Sequence, residues 1–167
     1  MRKRACEHDD LLRTTHCPDR PEGIAHPRRR GAGDRPFRRR GGRRPVRCCL
    51  RRSAPGERIA LVSYAPLRRW AAETGADPGA YDEQGPVFIH SEECAGWEGD
   101  ELPFTNAHRT VRRYSAEGHI LGGRLVEHPE DFEAAFAEAF DDPAVALVHV
   151  RAVEYGCFLY ELRQDAG

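Results

Sequence analysis

Two stretches of the sequence place a cysteine a few residues after a histidine in an apolar run. His90 closes the run GPVFIH and is followed by Cys94, whereas His149 lies inside LVHVR and is followed by Cys157. Thiolate and imidazole are ligands that Zn²⁺ prefers, and four of them form a tetrahedral structural site. Side chains at the ends of separate strands can converge, and Cys49 precedes the first predicted strand. We therefore predict a site for Zn²⁺ or a similar ion from His90, Cys94, His149 and Cys157, with Cys49 as a further ligand.

The same residue types support two other interpretations. Free cysteine is among the most buried residue types, and His149 alternates with Val145 and Leu147, so a core role fits as well. Thiol chemistry would need one cysteine with a depressed pKa beside a histidine, for instance Cys157 with His149. Neither His-Cys spacing matches a strong zinc signature such as two C-x-x-C units. Metal binding, a Cys-His thiol-dependent enzyme and ordinary packing all remain open at this level.

Several other chemistries lack their signatures. The one lysine of the chain is Lys3, so there is no phosphate-binding loop ending in Gly-Lys-Ser/Thr. The glycines of EGHILGGRL do not match the dinucleotide fingerprint, and there is no G-x-S-x-G motif. Acidic pairs such as Asp141-Asp142 fall in predicted loops and at a helix end, where solvated charge is expected. The sequence gives no support to a hydrolase built on paired carboxylates.

The sequence also lacks the features of a membrane or secreted protein. No apolar run approaches the roughly 18 residues of a membrane span. The first residues are basic but are not followed by the apolar stretch of a signal peptide. We therefore predict a cytoplasmic protein without a membrane partner. In that compartment its six cysteines are expected to be reduced, and to serve as thiols or metal ligands.

Charge is distributed unevenly along the chain. Residues 1–52 carry sixteen Arg and one Lys against six acidic residues, whereas residues 53–167 carry nine basic against 21 acidic residues. Within the basic part, residues 18–45 contain few sizeable apolar groups, so little offsets the entropy of ordering the backbone. We predict that residues 1–44 form an irregular extension. The composition favours a solvated tail, and the alternative is that its clusters of three arginines bind nucleic-acid phosphates in a salt-sensitive way.

Residues 45–163 contain the pattern of one folded domain, followed by a short tail at 164–167. The clearest helix is HPEDFEAAFAEAFDDP, where Phe132, Phe136 and Phe140 form one apolar stripe. The segment TVRRYSAEGHILGGRLVE predicts a hairpin around Glu117-Gly118. Further strands are predicted in ERIALVSY, GPVFIHS, AVALVHVR and CFLYEL. We expect an α+β fold with a single, largely antiparallel sheet of five or six strands and one main helix packed on a face.

Four blocks of the sequence resemble a family of bacterial proteins catalogued as domain of unknown function 1203. They are RPVRCCLRRSAPGERIALVSYAP, YDEQGPVFIHSEEC, TVRRYSAEGHILGGRLVE and AVALVHVRAVEYGCFLYEL. The resemblance covers most of the predicted domain and leaves out the first 43 residues. It implies a soluble bacterial protein in which Cys49 and the pairs His90/Cys94 and His149/Cys157 are typical family positions. It implies no activity, because none is established for the family.

Overall fold

The computed structural model describes residues 43–92, 96–97 and 102–163. In this part of the chain, two α-helices and eight strands are formed. The helices are α1 (Pro66–Thr74) and α2 (Phe132–Asp141). The strands are β1 (Pro45–Val46), β2 (Arg51–Arg52), β3 (Ile59–Tyr64), β4 (Gly85–His90), β5 (Arg109–Tyr114), β6 (Ile120–Val126), β7 (Leu147–Ala152) and β8 (Phe158–Arg163). The predicted α+β class is confirmed.

The strands form two four-stranded sheets, which corrects the expectation of a single sheet with five or six strands. The first sheet has the order β2-β1-β4-β3, and the second has the order β6-β5-β7-β8. Strand β1 runs parallel to β4, and the other paired strands are antiparallel. Strands β1 and β2 have two residues each. Such short strands carry no alternating pattern, and alternation does not specify which strands pair.

The main core lies between α2 and one face of the second sheet. The predicted stripe of Phe132, Phe136 and Phe140 is buried there, against residues of strands β5, β7 and β8. The predicted hairpin is β5–β6, with a register irregularity where Gly122 stands opposite Arg113. Leu50, from the turn between β1 and β2, also belongs to this core, with a backbone φ of 48°. The first sheet therefore contributes a side chain to the core of the second.

Helix α1 joins the first sheet to the opposite face of the second sheet. Its residues Leu67 and Trp70 are buried and pack with Tyr114 and Leu147. Helix α1 begins at Pro66, whose fixed φ suits a first helical position, and ends before Gly75 at φ 78°. No helix in the described residues is long and apolar enough to cross a membrane.

The predicted N-terminal extension and C-terminal tail lie almost wholly outside the described residues, which begin at Arg43 and end at Arg163. At the boundary, the backbone N–H of Arg44 donates to Ser53 Oγ over 3.1 Å, and the backbone N–H of Ser53 donates to Arg44 O over 2.8 Å. The chain is thus attached to strand β2 from residue 44 onward. The expectation that residues 1–44 form an irregular basic extension stays a prediction, as does the alternative that this extension is a nucleic-acid-binding arm.

Candidate metal centre

The turn between β1 and β2 lies over the end of strand β4. Val46 pairs with Phe88 in the parallel β1–β4 ladder, and the backbone N–H of Arg47 donates to Phe88 O over 2.7 Å. The next residue of the turn is Cys48, and its Sγ accepts a hydrogen bond from the backbone N–H of His90 over 3.2 Å. These contacts bring the two adjacent cysteines of the turn to the last residue of β4.

Cys48, Cys49 and His90 form a compact group of donor atoms. The distance from Cys48 Sγ to His90 Nδ1 is 3.3 Å, and that from Cys49 Sγ to the same nitrogen is 3.7 Å. The three donor atoms all lie within 4.8 Å of one another. In a tetrahedral zinc shell, Zn–S bonds of about 2.3 Å and a Zn–N bond of about 2.0 Å separate sulfur and nitrogen by about 3.5 Å. The two sulfur-to-nitrogen distances lie on either side of that separation.

The environment of Cys49 favours its thiolate. The hydrogen bond from Cys48 lowers the pKa of Cys49 most, and the backbone N–H of Arg51 and the charges of His90 and Arg51 lower it further. Burial acts in the opposite direction, yet the pKa of Cys49 falls to about 6 from an ordinary value of 9.0. Only a thiolate binds metal or acts as a nucleophile. At neutral pH this sulfur is therefore mostly in its reactive, metal-binding form.

The other ring nitrogen of His90 faces an ion pair. Its Nε2 lies 3.5 Å from Glu57 Oε2 and 3.2 Å from Arg51 Nη2. Arg51 and Glu57 are joined through both oxygens of the carboxylate, over 2.6 and 3.0 Å. Arg51 lowers the pKa of Glu57 first, and the backbone N–H of Ala54 second, to about 2. A carboxylate behind a metal-binding imidazole is a common supporting contact in metal sites.

The group of three donor residues is largely buried but remains partly accessible to solvent. Cys49 is buried, the side chain of His90 is 9% exposed, and Cys48 is half-buried. Of the described cysteines, Cys48, Cys49 and Cys157 are free of disulfide bonds. An ion could therefore reach the three donor atoms, and the sulfurs are present as thiols or thiolates.

The structure brings together Cys49 and His90 from the ligand set predicted from the sequence. In the described residues, this group of donors contains neither His149 nor Cys157. His149 is hydrogen-bonded to Glu161 inside the second sheet, and Cys157 lies in the β7–β8 connection with its Sγ 4.0 Å from Tyr155 O. Cys94 lies outside the described residues, so its role stays a prediction.

Three residues of the site were missing from the predicted set. Cys48 is adjacent to Cys49, and this Cys-Cys pair was the available signal for it. Arg51 and Glu57 carry no signal of their own, because an arginine and a glutamate near a turn are typical of solvated surface. Their role depends on the pairing of β1 with β4, which joins residues about forty positions apart.

The fold and the site together define an α+β protein with a Cys-Cys-His group at the junction of a turn and a strand end. A family model described as "Protein of unknown function (DUF1203)" matches residues 43–164, and the chain belongs to that family. The match begins and ends close to the limits of the described fold. No curated protein and no solved structure matches the chain significantly.

Proposed function

We propose that this protein binds a thiophilic metal ion, with Zn²⁺ the best fit, through Cys48 Sγ, Cys49 Sγ and His90 Nδ1. The observation that carries the proposal is the spacing of these atoms, since both sulfur-to-nitrogen distances lie close to those of a zinc shell. Two thiolates and one imidazole are soft and borderline donors, which favour Zn²⁺ or Cu⁺ over Mg²⁺ and Ca²⁺.

Electrostatics supports the same proposal. Metal binding releases protons from thiols, and its apparent affinity falls when that release is costly. The lowered pKa of Cys49 removes much of this cost at neutral pH. The backbone N–H groups of His90 and Arg51 donate to the two sulfurs, and these contacts stabilise thiolate charge with or without an ion.

The arrangement provides three protein ligands from the described residues. Three protein ligands with a fourth position for water or substrate are typical of catalytic zinc sites, whereas four are typical of structural sites. Cys94, four residues after His90, is the sequence-based candidate for a fourth ligand. A fourth ligand from Cys94 would favour a structural centre, and three protein ligands would favour a catalytic one.

The test is metal analysis of the full chain, purified without an affinity tag or chelator, followed by competition with a chromogenic zinc chelator. We expect about one equivalent of zinc, and a loss of affinity of more than tenfold in Cys49→Ser and His90→Ala, because each removes a ligand. His128→Ala is the matched control, since His128 is exposed and outside the site. Less than a tenth of an equivalent in the wild-type protein, or equal affinities in all variants, would refute the proposal.

Two more variants resolve the ligand set. Cys157→Ser is expected to keep the wild-type affinity, because Cys157 is not in the group of donors. A loss of zinc affinity in that variant would show that Cys157 is a ligand, as predicted from the sequence. In Cys94→Ser, a loss of affinity would identify a fourth ligand, and unchanged affinity would leave the three-ligand centre.

A second candidate function is thiol chemistry at Cys49. The observation that favours it is the pKa of about 6, beside an imidazole that can accept or donate a proton. A thiolate of this kind is an activated nucleophile. The two functions are separable, because bound zinc would suppress alkylation of the same sulfur.

A further inference from the structure

We propose that Glu57 is a positioning residue of the metal centre: its carboxylate holds the His90 ring with a proton on Nε2, which leaves the Nδ1 lone pair for the ion. This inference rests on the proposed metal-binding function. It assigns a role to a residue that contributes no donor atom to the group of three.

The first step is the orientation of the imidazole ring. Nδ1 is the nitrogen within 3.7 Å of both sulfurs, so an ion held by the two cysteines would bind His90 through Nδ1. A neutral imidazole carries one proton, and a metal-binding nitrogen must be the one without it. The proton must then be on Nε2, and Nε2 needs an acceptor.

Glu57 is that acceptor, and it is held in place by groups other than His90. Glu57 Oε2 lies 3.5 Å from His90 Nε2, and the same oxygen accepts from the backbone N–H of Ala54 over 2.6 Å. Arg51 binds both carboxylate oxygens. A carboxylate fixed from two directions retains its position whether or not the ring is bound, so the acceptor is preorganised.

Arg51 favours the opposite tautomer of the His90 ring. A guanidinium has only donors, so the 3.2 Å contact between Arg51 Nη2 and His90 Nε2 is a hydrogen bond only when Nε2 has no proton. In that tautomer the proton is on Nδ1 and points at Cys48 Sγ, 3.3 Å away. The Arg51 contact therefore favours a ring that cannot bind the ion, and the Glu57 contact favours one that can.

The role of Glu57 is to shift the tautomer equilibrium of His90 toward the form that can bind the ion. Without its carboxylate, Arg51 would remain as the polar partner of Nε2, and the ring would rest with its proton on Nδ1. Binding would then require the proton to move. Partners of this kind typically change metal affinity by about 10- to 100-fold.

The experiment compares Glu57→Ala and Glu57→Gln in the full chain, with zinc affinity and the ring ¹⁵N shifts of His90 as readouts. We expect a 10- to 100-fold loss of affinity in Glu57→Ala. Glu57→Gln should lie between that variant and the wild type, since the amide oxygen can still accept from Nε2–H. In the zinc-loaded wild type, Nδ1 should show the shift of a metal-bound nitrogen and Nε2 that of a protonated one.

The matched control is Glu138→Ala, which removes an exposed glutamate paired with Arg124 far from the site in sequence. A purely structural role for Glu57 would lower the unfolding midpoint of the metal-free variants without changing zinc affinity in those that fold. Unchanged affinity in both Glu57 variants would overturn the inference while leaving the proposed function intact. Zinc bound through Nε2 would overturn the inference and also the assignment of Nδ1 as the ligand atom. Failure of the wild-type protein to bind zinc would overturn both.

Discussion

His149 and Glu161 face each other across strands β7 and β8, with 3.0 Å between His149 Nε2 and Glu161 Oε2. His149 is fully buried, and Glu161 is nearly so. The rings of Tyr114 and Phe158 lie against the imidazole at centroid distances of 4.6 and 5.0 Å. Phe158 also contacts Tyr64 of β3, with 5.5 Å between the ring centroids, so the pair lies close to a contact between β3 and β8.

The two ionisable groups have pKa values that make the fold sensitive to acid. Burial lowers the pKa of His149, as do the charges of Arg151 and Arg112, and these outweigh the opposite effect of Glu161. Burial raises the pKa of Glu161, but its contacts with His149 and Arg163 outweigh burial and bring it below its ordinary value. At neutral pH, a neutral imidazole therefore donates from Nε2 to an ionised carboxylate.

We predict that the free energy of unfolding falls as the pH is lowered through about 6.5. Unfolding restores the ordinary histidine pKa of about 6.5 and the ordinary glutamate pKa of about 4.3, so the unfolded chain binds more protons than the folded one. Urea denaturation with chelator at pH 5 to 8 measures this. His149→Gln cannot ionise and should flatten the curve between pH 5 and 7, and His128→Gln serves as the control.

Zinc should protect the turn between β1 and β2 from proteolysis. Two strands of two residues each hold this segment, and an ion would attach it to the end of β4. We expect slower tryptic cleavage after the exposed residues Arg51 and Arg52 when zinc is added. Cleavage after Arg68 in helix α1 is the internal reference. A rate that zinc does not alter, or protection that persists in His90→Ala, would contradict the prediction.

Cys49 should be alkylated at unusually low pH in the metal-free protein. Its pKa of about 6 places the midpoint of the rate profile near pH 6 instead of near 9. Trypsin releases Cys48 and Cys49 in the peptide CCLR, and fragment ions distinguish the two sites. Iodoacetamide labelling with chelator, followed by mass spectrometry, gives the profile. A rate that begins to rise only above pH 8 would show that Cys49 is not activated.

Two glycines with nearly equal φ angles allow backbone strain and packing to be separated. Gly118 has φ 85° and Gly56 has φ 86°. A Cβ at Gly118 would lie 2.8 Å from Pro78 Cβ and 3.2 Å from the Trp70 ring, whereas one at Gly56 would meet nothing within 4 Å. We expect Gly56→Ala to lower the free energy of unfolding by about 1 kcal/mol, from backbone strain alone. Gly118→Ala should cost about 1 to 3 kcal/mol more, from overpacking. If urea denaturation showed equal losses of unfolding free energy in the two variants, the packing of Pro78 and Trp70 around Gly118 would have adjusted to the added methyl group.

The N-terminal arm is testable by deletion of residues 1–42, which lie outside the described fold. If the arginine clusters bind phosphates, affinity for a short nucleic acid should fall steeply with salt and should be lost in the deleted protein. Fluorescence anisotropy at several salt concentrations measures both. Equal affinity of the two proteins would exclude the arm as the binding element.

The sequence predicted those parts of the fold that depend on local pattern. Three phenylalanines four residues apart predicted helix α2, and Glu117-Gly118 predicted the β5–β6 hairpin. The division into two sheets was not predicted, because it depends on which strands pair. At the site, Cys49 and His90 were identified by residue type. Cys48 carried the same residue-type signal but was left out of the predicted set. Glu57 could not be identified, since only the long-range pairing of β1 with β4 brings it to His90.

The parallel pairing of Val46 with Phe88 also sets an order of events during biosynthesis. Residues 47–50 can make their contacts with β4 only after about forty further residues have left the ribosome, because these partners are distant in sequence. Until then both adjacent thiols stay open to oxidants and competing ions. The thiols of Cys48 and Cys49 are thus more exposed in the newly made chain than in the folded one, where Cys49 is buried and Cys48 is half-buried.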